Sequence, residues 1–249
     1  MSENIYSDNG KDSVAAENNK YRGMNFIQRV FGIIISPEKV MKDLEQKPRI
    51  LFALLLTLFT PVVLIFSVFP MYMEYSRTVM EATYAKMNME VTAEMMEAAV
   101  ATAKYTGPIG GALGAAGMWF LGALLLWLVI KIFKGQGTYK QILSIIGYSS
   151  VIGALAAISS IVTTLITGTY SELSFTSIAV LLPDMKGNFI YGAAKAIDVF
   201  SIWQYAVLAI GTAVVSKLSK KKAYIIVSCI FAAIVIYTGF MEVASSIIY

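Results

Sequence analysis

Five long apolar runs set the strongest constraint on this 249-residue chain. A helix needs about 20 apolar residues to cross the hydrocarbon core of a bilayer, which is roughly 30 Å thick. Only 14% of the residues are charged, against about a quarter in a soluble domain. The sequence therefore predicts an all-α, polytopic integral membrane protein with five transmembrane helices. The predicted spans are residues 50–70, 110–133, 142–166, 197–216 and 223–241.

The distribution of basic residues predicts the orientation, because lysine and arginine concentrate in the cytoplasmic segments of membrane proteins. Five spans put the termini on opposite sides, and the N-terminal side carries fifteen of the 20 lysines and arginines. We therefore expect the N-terminus in the cytoplasm and the C-terminus outside. The net charge of +4 then reflects topology and attraction to anionic lipid, and it does not indicate nucleic-acid binding.

The chain before the first span divides into two parts. Residues 1–22 are polar and predict a disordered cytoplasmic tail, whereas residues 23–249 form the predicted membrane domain. Apolar residues recur at helical spacing just after the tail, at Phe26, Val30, Ile33 and Ile34. A second helix is expected to start at Ser36 and Pro37, residue types favoured at an N-cap and at the first helical position. We expect two short amphipathic helices on the cytoplasmic membrane surface. A soluble domain packed on itself is the alternative, but 25 residues bury too little surface for one.

Residues 71–109 form the long extracytoplasmic loop of this topology. Apolar residues recur there at steps of four and three, which predicts one helical stripe through Met80, Tyr84, Met87, Val91, Met95 and Ala98. Thioethers also select Cu(I), so Met87, Met89 and Met95 are candidate copper ligands. The alternative is that methionine simply fills an amphipathic face. The second outside connection contains "LSFTSIAVLLP", which is too short to cross and is expected to be interfacial or re-entrant.

Residue usage argues against most catalytic classes. The chain has no histidine, which removes the commonest general base and metal ligand. Its single cysteine, Cys229, lies in an apolar run and is expected to pack there. Neither a Gly-x-Ser-x-Gly elbow nor a His-Glu-x-x-His motif is present. We therefore expect no enzyme, and no cofactor is indicated.

Small residues at four-residue spacing predict helix contacts in the second and third spans. In lipid no hydrophobic force drives helices together, so association depends on close backbone approach. The candidates are Gly110, Gly114 and Gly117 in one span and Ser149, Gly153 and Ala157 in the other. Packing of these two spans inside the chain is one interpretation, and a seam between two copies is the other.

Charged residues in the spans lie near the ends. Asp198 follows Lys195 by three residues at the start of the fourth span, where a surface ion pair is the simplest interpretation. The alternative is a transport site formed by Asp198, Trp203 and Gln204. Because no acidic residue lies in mid-span, cation transport would lack its usual side chains.

The stretch "KGQGTYK", residues 134–140, joins glycines and lysines in a way that raises the question of a phosphate loop. A phosphate loop follows a strand and places its glycine amides at a helix start. Here a membrane span precedes the glycines, so we interpret the stretch as a tight turn between the second and third spans, with Lys134 and Lys140 marking the cytoplasmic side.

Three stretches together resemble the Yip family, the Ypt/Rab-interacting membrane proteins, in its prokaryotic branch. They are "FIQRVFGIIISPEKVMKDLEQKPR", "GQGTYKQILSIIGYSS" and "IDVFSIWQYAVLAIGTAVVSKLSKKKA". The residues that carry the resemblance are Ser36, Pro37, Gly137, Tyr139, Gly147, Tyr148, Asp198, Trp203 and Gly211.

The resemblance implies a fold and a class of function more than a reaction. Similar eukaryotic proteins are adaptors in secretory-pathway membranes that engage small Rab-type GTPases. A prokaryotic relative lacks that pathway, so the resemblance implies a non-enzymatic scaffold in the cell membrane that assists other membrane complexes, such as an export transporter. A small transporter is the first alternative, and an envelope-stress or metal sensor that uses the outer loop is the second.

Overall fold

The computed structural model describes residues 23–248, with side chains to residue 246. The predicted tail, residues 1–22, lies outside this range. The described chain is helical with short connections, in the order α1 Phe26–Ile35, α2 Pro37–Gln46, α3 Ile50–Ser67, α4 Phe69–Lys86, α5 Ala93–Ile132, α6 Tyr139–Thr167, two 3-10 turns at Ile178–Leu181 and Pro183–Met185, α7 Phe189–Ala196, α8 Val199–Ser216 and α9 Lys220–Ile248.

Five of these helices are long and apolar enough to cross a bilayer, namely α3, α5, α6, α8 and α9. The predicted all-α fold with five spans and two preceding short helices is therefore confirmed. Large apolar side chains on the spans remain exposed, among them Leu51, Leu113, Ile166 and Phe240. Such a surface suits hydrocarbon better than water.

Helix α6 is the centre of the bundle, and it packs against α3, α5, α8 and both short N-terminal helices. Its first half is almost fully buried, from Ile142 to Ile152. Close approach to α3 occurs at Gly147, where an added Cβ would overlap Ala53 and stand 3.1 Å from its Cα. Trp119 of α5 closes the same contact, since its indole N–H donates to the Leu143 carbonyl at 3.1 Å.

The segment predicted to be a long extracytoplasmic loop is a helical hairpin. Helix α4 continues almost directly from α3, after a break at Val68, and packs back against the first half of α5. The turn falls at Met87–Val91, where Asn88 adopts a positive φ of 53° and Thr92 caps α5. The prediction of one continuous stripe from Met80 to Ala98 was therefore wrong, because that stripe crosses the turn.

Helix α5 extends beyond the bilayer. At 40 residues it is roughly 60 Å long, about twice the hydrocarbon thickness. Tyr72 of α4 packs so closely on Gly107 of α5 that a Cβ there would overlap its ring. A two-helix hairpin therefore projects from the end of the bundle at which α3 finishes.

The connection between α6 and α8, residues 168–198, is partly helical. The segment expected to be interfacial or re-entrant contains the first 3-10 turn and ends where the second begins, with Leu181 79% exposed. Helix α7 follows and packs closely on α9, where a Cβ at Gly192 would crowd Thr238 and Gly239. Lys195 of α7 then pairs with Glu242 of α9 at 3.1 Å.

Gly147→Ala should destabilise the bundle, because its methyl group would meet backbone and Cβ atoms of Ala53 that cannot rotate away. Gly122→Ala is the matched control, since a Cβ at Gly122 has nothing within 4 Å and alanine favours helix by up to about 1 kcal/mol. Thermal unfolding in detergent measures both. Equal unfolding temperatures for the two variants would contradict the close α3–α6 contact.

Candidate functional site: a helical cap on one end of the bundle

Helices α1 and α2 form a compact unit that we call the cap, and the end of the bundle that they cover is the cap end. The opposite end, which carries α4 and the start of α5, is the hairpin end. Asn25 and Gln28 form a reciprocal capping box at the start of α1. Pro37 stands at the start of α2, as predicted, although the Ser36 side chain makes no capping hydrogen bond.

Two glycines allow the cap to pack tightly. A Cβ at Gly32 of α1 would stand 2.6 Å from Cγ2 of Val40, and one at Gly211 of α8 would stand 2.8 Å from Sδ of Met41. Val40, Met41 and Leu44 are fully buried. Helix α2 is thus held against α8 by side chains that fill glycine-lined gaps.

A buried ion pair joins the two helices of the cap. Arg29 of α1 donates from Nε to Oδ2 of Asp43 in α2 at 2.5 Å, and the backbone N–H of Met24 donates to Oδ1 at 2.8 Å. Arg29 is 3% exposed and Asp43 is 0% exposed. Burial disfavours the charged guanidinium, but the interactions with Asp43 and Tyr148 outweigh it and raise the pKa of Arg29 above its usual value.

Aromatic rings continue this contact into the spans. The ring of Phe26 meets that of Phe52 edge-on, with centroids 4.6 Å apart, and Phe52 packs against Tyr148 at 5.1 Å. Tyr148 of α6 is 1% exposed and interacts with Arg29. The cap is therefore anchored to the first turn of α3 and to the third turn of α6.

The end of α2 is held by Gln141, the third residue of α6, which follows the last glycine of the Gly-x-Gly turn by four residues. Its Nε2 donates to the Glu45 carbonyl at 2.6 Å, and its Oε1 accepts from the Thr138 N–H at 2.8 Å. One side chain thus caps two helices, because it occupies an unpaired carbonyl at the end of α2 and an unpaired amide at the start of α6.

The Gly-x-Gly turn is a structural element that docks on α8. Gly137 has a φ of 96°, and a Cβ there would stand 2.8 Å from Val215. The Gln136 N–H donates to the Ser216 carbonyl at 2.7 Å. Tyr139 donates from its hydroxyl to the Phe120 carbonyl at 2.9 Å, which links α6 to α5. These contacts agree with the prediction of a tight turn between the second and third spans.

Exposed ion pairs surround the buried one. Glu38 pairs with Lys42 at 2.8 Å and with Lys220 at 3.4 Å, and these lysines lower the pKa of its carboxyl. Glu45 pairs with Lys217. The pairs to Lys217 and Lys220 connect α2 to the turn between α8 and α9, but exposed pairs contribute little to stability.

At the hairpin end, Asp198 acts as a helix cap. Its Oδ1 accepts from the Phe200 N–H at 2.8 Å and its Oδ2 from the Ser201 hydroxyl at 2.5 Å. The expected surface pair with Lys195 is absent among these contacts, because Lys195 extends to Glu242 instead. Trp203 packs on the bundle core, and Gln204 lies against Gly153 of α6, where a Cβ would stand 3.1 Å from Oε1.

The predicted packing residues fall into two groups. Gly153 meets α8, and Ser149 is buried with its hydroxyl donating to the Ile145 carbonyl at 2.8 Å. By contrast, a Cβ at Gly110, Gly114 or Gly117 has nothing within 4 Å. Packing inside the chain was therefore the wrong interpretation for these three glycines, since α5 turns its other side to the core. Ala157 is half-buried on α6.

The candidate copper ligands lie at the tip of the hairpin formed by α4 and the start of α5. Met87 and Met89 belong to its turn and Met95 to the first turn of α5, and each is about half exposed at 55%, 43% and 49%. Among residues 23–248, no group of three His, Cys, Asp or Glu side chains is positioned to hold a metal ion. Copper binding by the methionines stays a prediction.

The buried ion pair was not predicted, although the sequence contains a signal for it. Arg29 follows Phe26 by three residues and precedes Ile33 by four, and Asp43 follows Val40 by three. Both charges therefore occupy the apolar face of an amphipathic helix. Opposite charges on the buried faces of two consecutive helices indicate a buried pair.

Asp43→Asn should destabilise the cap strongly, because it leaves the Arg29 guanidinium buried without a counter-charge. The expected loss is on the order of 3–5 kcal/mol. Glu38→Gln, which alters an exposed pair on the same helix, should change the unfolding temperature very little. Thermal unfolding in detergent compares the two, and a double variant, Arg29→Met with Asp43→Leu, should recover part of the loss. Similar small effects for Asp43→Asn and Glu38→Gln would contradict the role of the buried pair.

Asp198→Asn should leave stability nearly unchanged, whereas Asp198→Ala should cost about 1 kcal/mol, because asparagine also caps helices and alanine does not. Unfolding temperatures of both variants test this. A loss in Asp198→Asn as large as in Asp198→Ala would show that the charge matters beyond capping.

Comparison with known proteins agrees with this architecture. A family model described as the Yip1 domain matches residues 31–241, from within α1 to within α9. The match takes in Asp43 and Tyr148 and begins two residues after Arg29. "Membrane protein YknW" of Bacillus subtilis (strain 168) is 26% identical over 219 residues, which cover 88% of this chain and 91% of that protein. No solved structure matches the chain significantly. Because the family model covers most of the sequence, the chain belongs to the Yip1-domain family of membrane proteins.

Proposed function

We propose that the protein is a non-enzymatic scaffold that binds other membrane proteins within the bilayer. The observation that carries this proposal is the open glycine face of α5. Gly110, Gly114 and Gly117 are spaced for close helix contact, yet a Cβ on any of them would meet no other part of the described chain within 4 Å. Gly147 and Gly211, in contrast, are filled by Ala53 and Met41.

The open face is suited to a helix from another chain. Glycine lowers helix stability by about 1 kcal/mol relative to alanine, so three glycines on one exposed face are costly unless a contact needs them. They lie on the side of α5 that also presents Leu113, Leu121 and Leu124, each exposed. A partner helix would place its backbone against the glycines and its side chains against these leucines.

We further propose that the cap end faces the cytoplasm, which puts the C-terminus outside. Apart from Arg29, the basic side chains at the cap end are all exposed, at Lys39, Lys42, Lys47, Arg49, Lys131, Lys134, Lys140, Lys217, Lys220, Lys221 and Lys222. Such an excess of lysine and arginine is typical of the cytoplasmic side. The same surface would attract anionic lipid and acidic segments of partner proteins.

A scaffold role also agrees with how the polar groups of the bundle are used. Asp198 caps α8, Ser149 bonds to its own helix and Gln204 lies against Gly153, so each of these candidate transport or catalytic groups has a structural contact. The partner is proposed to be another membrane complex, such as an export transporter, or a second copy of this chain.

Crosslinked co-purification from native membranes, at the native expression level, tests the scaffold proposal. The wild type should bring down a stoichiometric membrane partner, and Gly110→Leu with Gly114→Leu should lose it. Gly122→Leu is the matched control, because Gly122 is equally open but lies on a different side of α5. Light scattering of the purified complex distinguishes a second copy from another protein.

Two results would contradict the proposal. Isolation of the protein alone, without a stoichiometric partner or self-association, would remove the scaffold role. Solute flux in vesicles reconstituted with the wild type, lost on Asp198→Asn although that variant still folds, would favour a transporter instead.

A further inference from the structure

The outward face of α1 is apolar and bears no charge. Ile27, Phe31 and Ile35 follow one another at four-residue steps and are 63%, 60% and 77% exposed. The one charged residue of α1, Arg29, points inward to Asp43. Three large apolar side chains in a row on a ten-residue helix form a surface that water does not suit.

Ring contacts fix the depth of α1 relative to the spans. Phe26 touches Phe52, which lies in the first turn of α3, and Phe52 touches Tyr148, which lies about 13 Å along α6 at 1.5 Å per residue. The start of α1 therefore lies beside the first turn of α3 and close to the third turn of α6, not beyond the ends of these spans. Leu51, next to Phe52, is 70% exposed and begins the lipid-facing row of α3.

Helix α2 provides the contrast within the same cap. Its exposed residues are polar, including Lys39, Lys42 and Gln46. Lys42 and Lys220 pair with Glu38 in an exposed network. Two adjacent helices of equal length thus present opposite surfaces, one suited to hydrocarbon and the other to water.

We propose that α1 is inserted into the leaflet at the cap end, with Ile27, Phe31 and Ile35 against lipid acyl chains. The acyl chains are the occupant that the geometry favours, because the apolar face is continuous in depth with the lipid-facing row that starts at Leu51. Amphipathic helices at interfaces bury their apolar face about 5–10 Å below the headgroups, a depth that matches the first turns of the spans.

The buried ion pair is what makes this insertion feasible. A lone arginine facing hydrocarbon is costly, and helices normally avoid that cost by snorkelling toward the headgroups. Arg29 is instead turned toward the protein, where Asp43 neutralises it at 2.5 Å. The inserted helix therefore meets the lipid without a charged side chain, and its one exposed polar side chain, Gln28, accepts from the Asn25 N–H in the capping box. This inference concerns lipid contact and is independent of the scaffold proposal.

Spin labels on single cysteines test the insertion in reconstituted vesicles of the purified protein. In a Cys229→Ser background, labels replace Ile27, Phe31 and Ile35, with Lys42→Cys as the water-facing control. Phe59→Cys is the lipid-facing control, because Phe59 is 56% exposed on the lipid-facing row of α3 that starts at Leu51. Power saturation compares collisions with oxygen, which concentrates in the bilayer, and with a water-soluble nickel complex. We expect the three α1 labels to favour oxygen, as the Phe59 label does, and the Lys42 label to favour nickel.

Either of two results would overturn the proposal. Labels on α1 that collide with nickel as readily as the Lys42 label would place the helix in water. Labels that exclude both oxygen and nickel, as a label at the buried Ile33 should, would show that protein covers this face. Each labelled site is exposed, so folding is retained, and the unfolding temperature of each variant verifies it.

Discussion

Close backbone approach is the constraint on which the rest of this bundle depends. Helices in lipid gain no hydrophobic stabilisation by packing together, so contacts form where side chains are small enough for backbones to meet. Gly147 lets α6 approach Ala53 of α3, and Gly211 leaves room on α8 for Met41 of the cap. A Cβ at Gly211 would also stand 3.2 Å from Cβ of Ile145 in α6, so α6 takes part in both contacts.

Different kinds of contact hold the two ends of the molecule together. At the cap end, the Gln141 side chain donates to the end of α2 and the Gln136 N–H donates to the end of α8. Backbone carbonyls are thus paired where these two helices end. At the hairpin end, α5 packs on α4, and Tyr170 of the connection between α6 and α8 meets the rings of Tyr72 and Tyr75 of α4 edge-on. The cap end is thus held by hydrogen bonds between helix ends, whereas the hairpin is held by helix packing and by these aromatic contacts.

The spans were predictable because apolar length is a strong signal, and the start of α2 at Pro37 was predictable because proline has a fixed place in helices. The turn of the hairpin was not predicted, because the apolar residues on both sides of Asn88 keep helical spacing although the helix ends there. Spacing marks Gly110 and Gly114 as a contact face, but it does not tell whether the partner belongs to the same chain. Gln141 bonds to Glu45, 96 residues away, and no local pattern encodes such a distance.

The ion pair between Arg29 and Asp43 is better understood as an orientation device than as a source of stability. Burying two charges costs desolvation energy that their attraction roughly offsets. Well-packed apolar residues at the same two positions often give a protein equal stability. Helix α1, however, carries large apolar side chains on its outward face, such as Phe31, as well as on its inward face, such as Ile33, so hydrophobic burial selects the inward face only weakly. Arg29 selects it, because only one rotation of the helix brings the guanidinium to Asp43. The same rotation directs Ile27, Phe31 and Ile35 outward, so a single pair determines both the anchor of the cap and the surface that it presents.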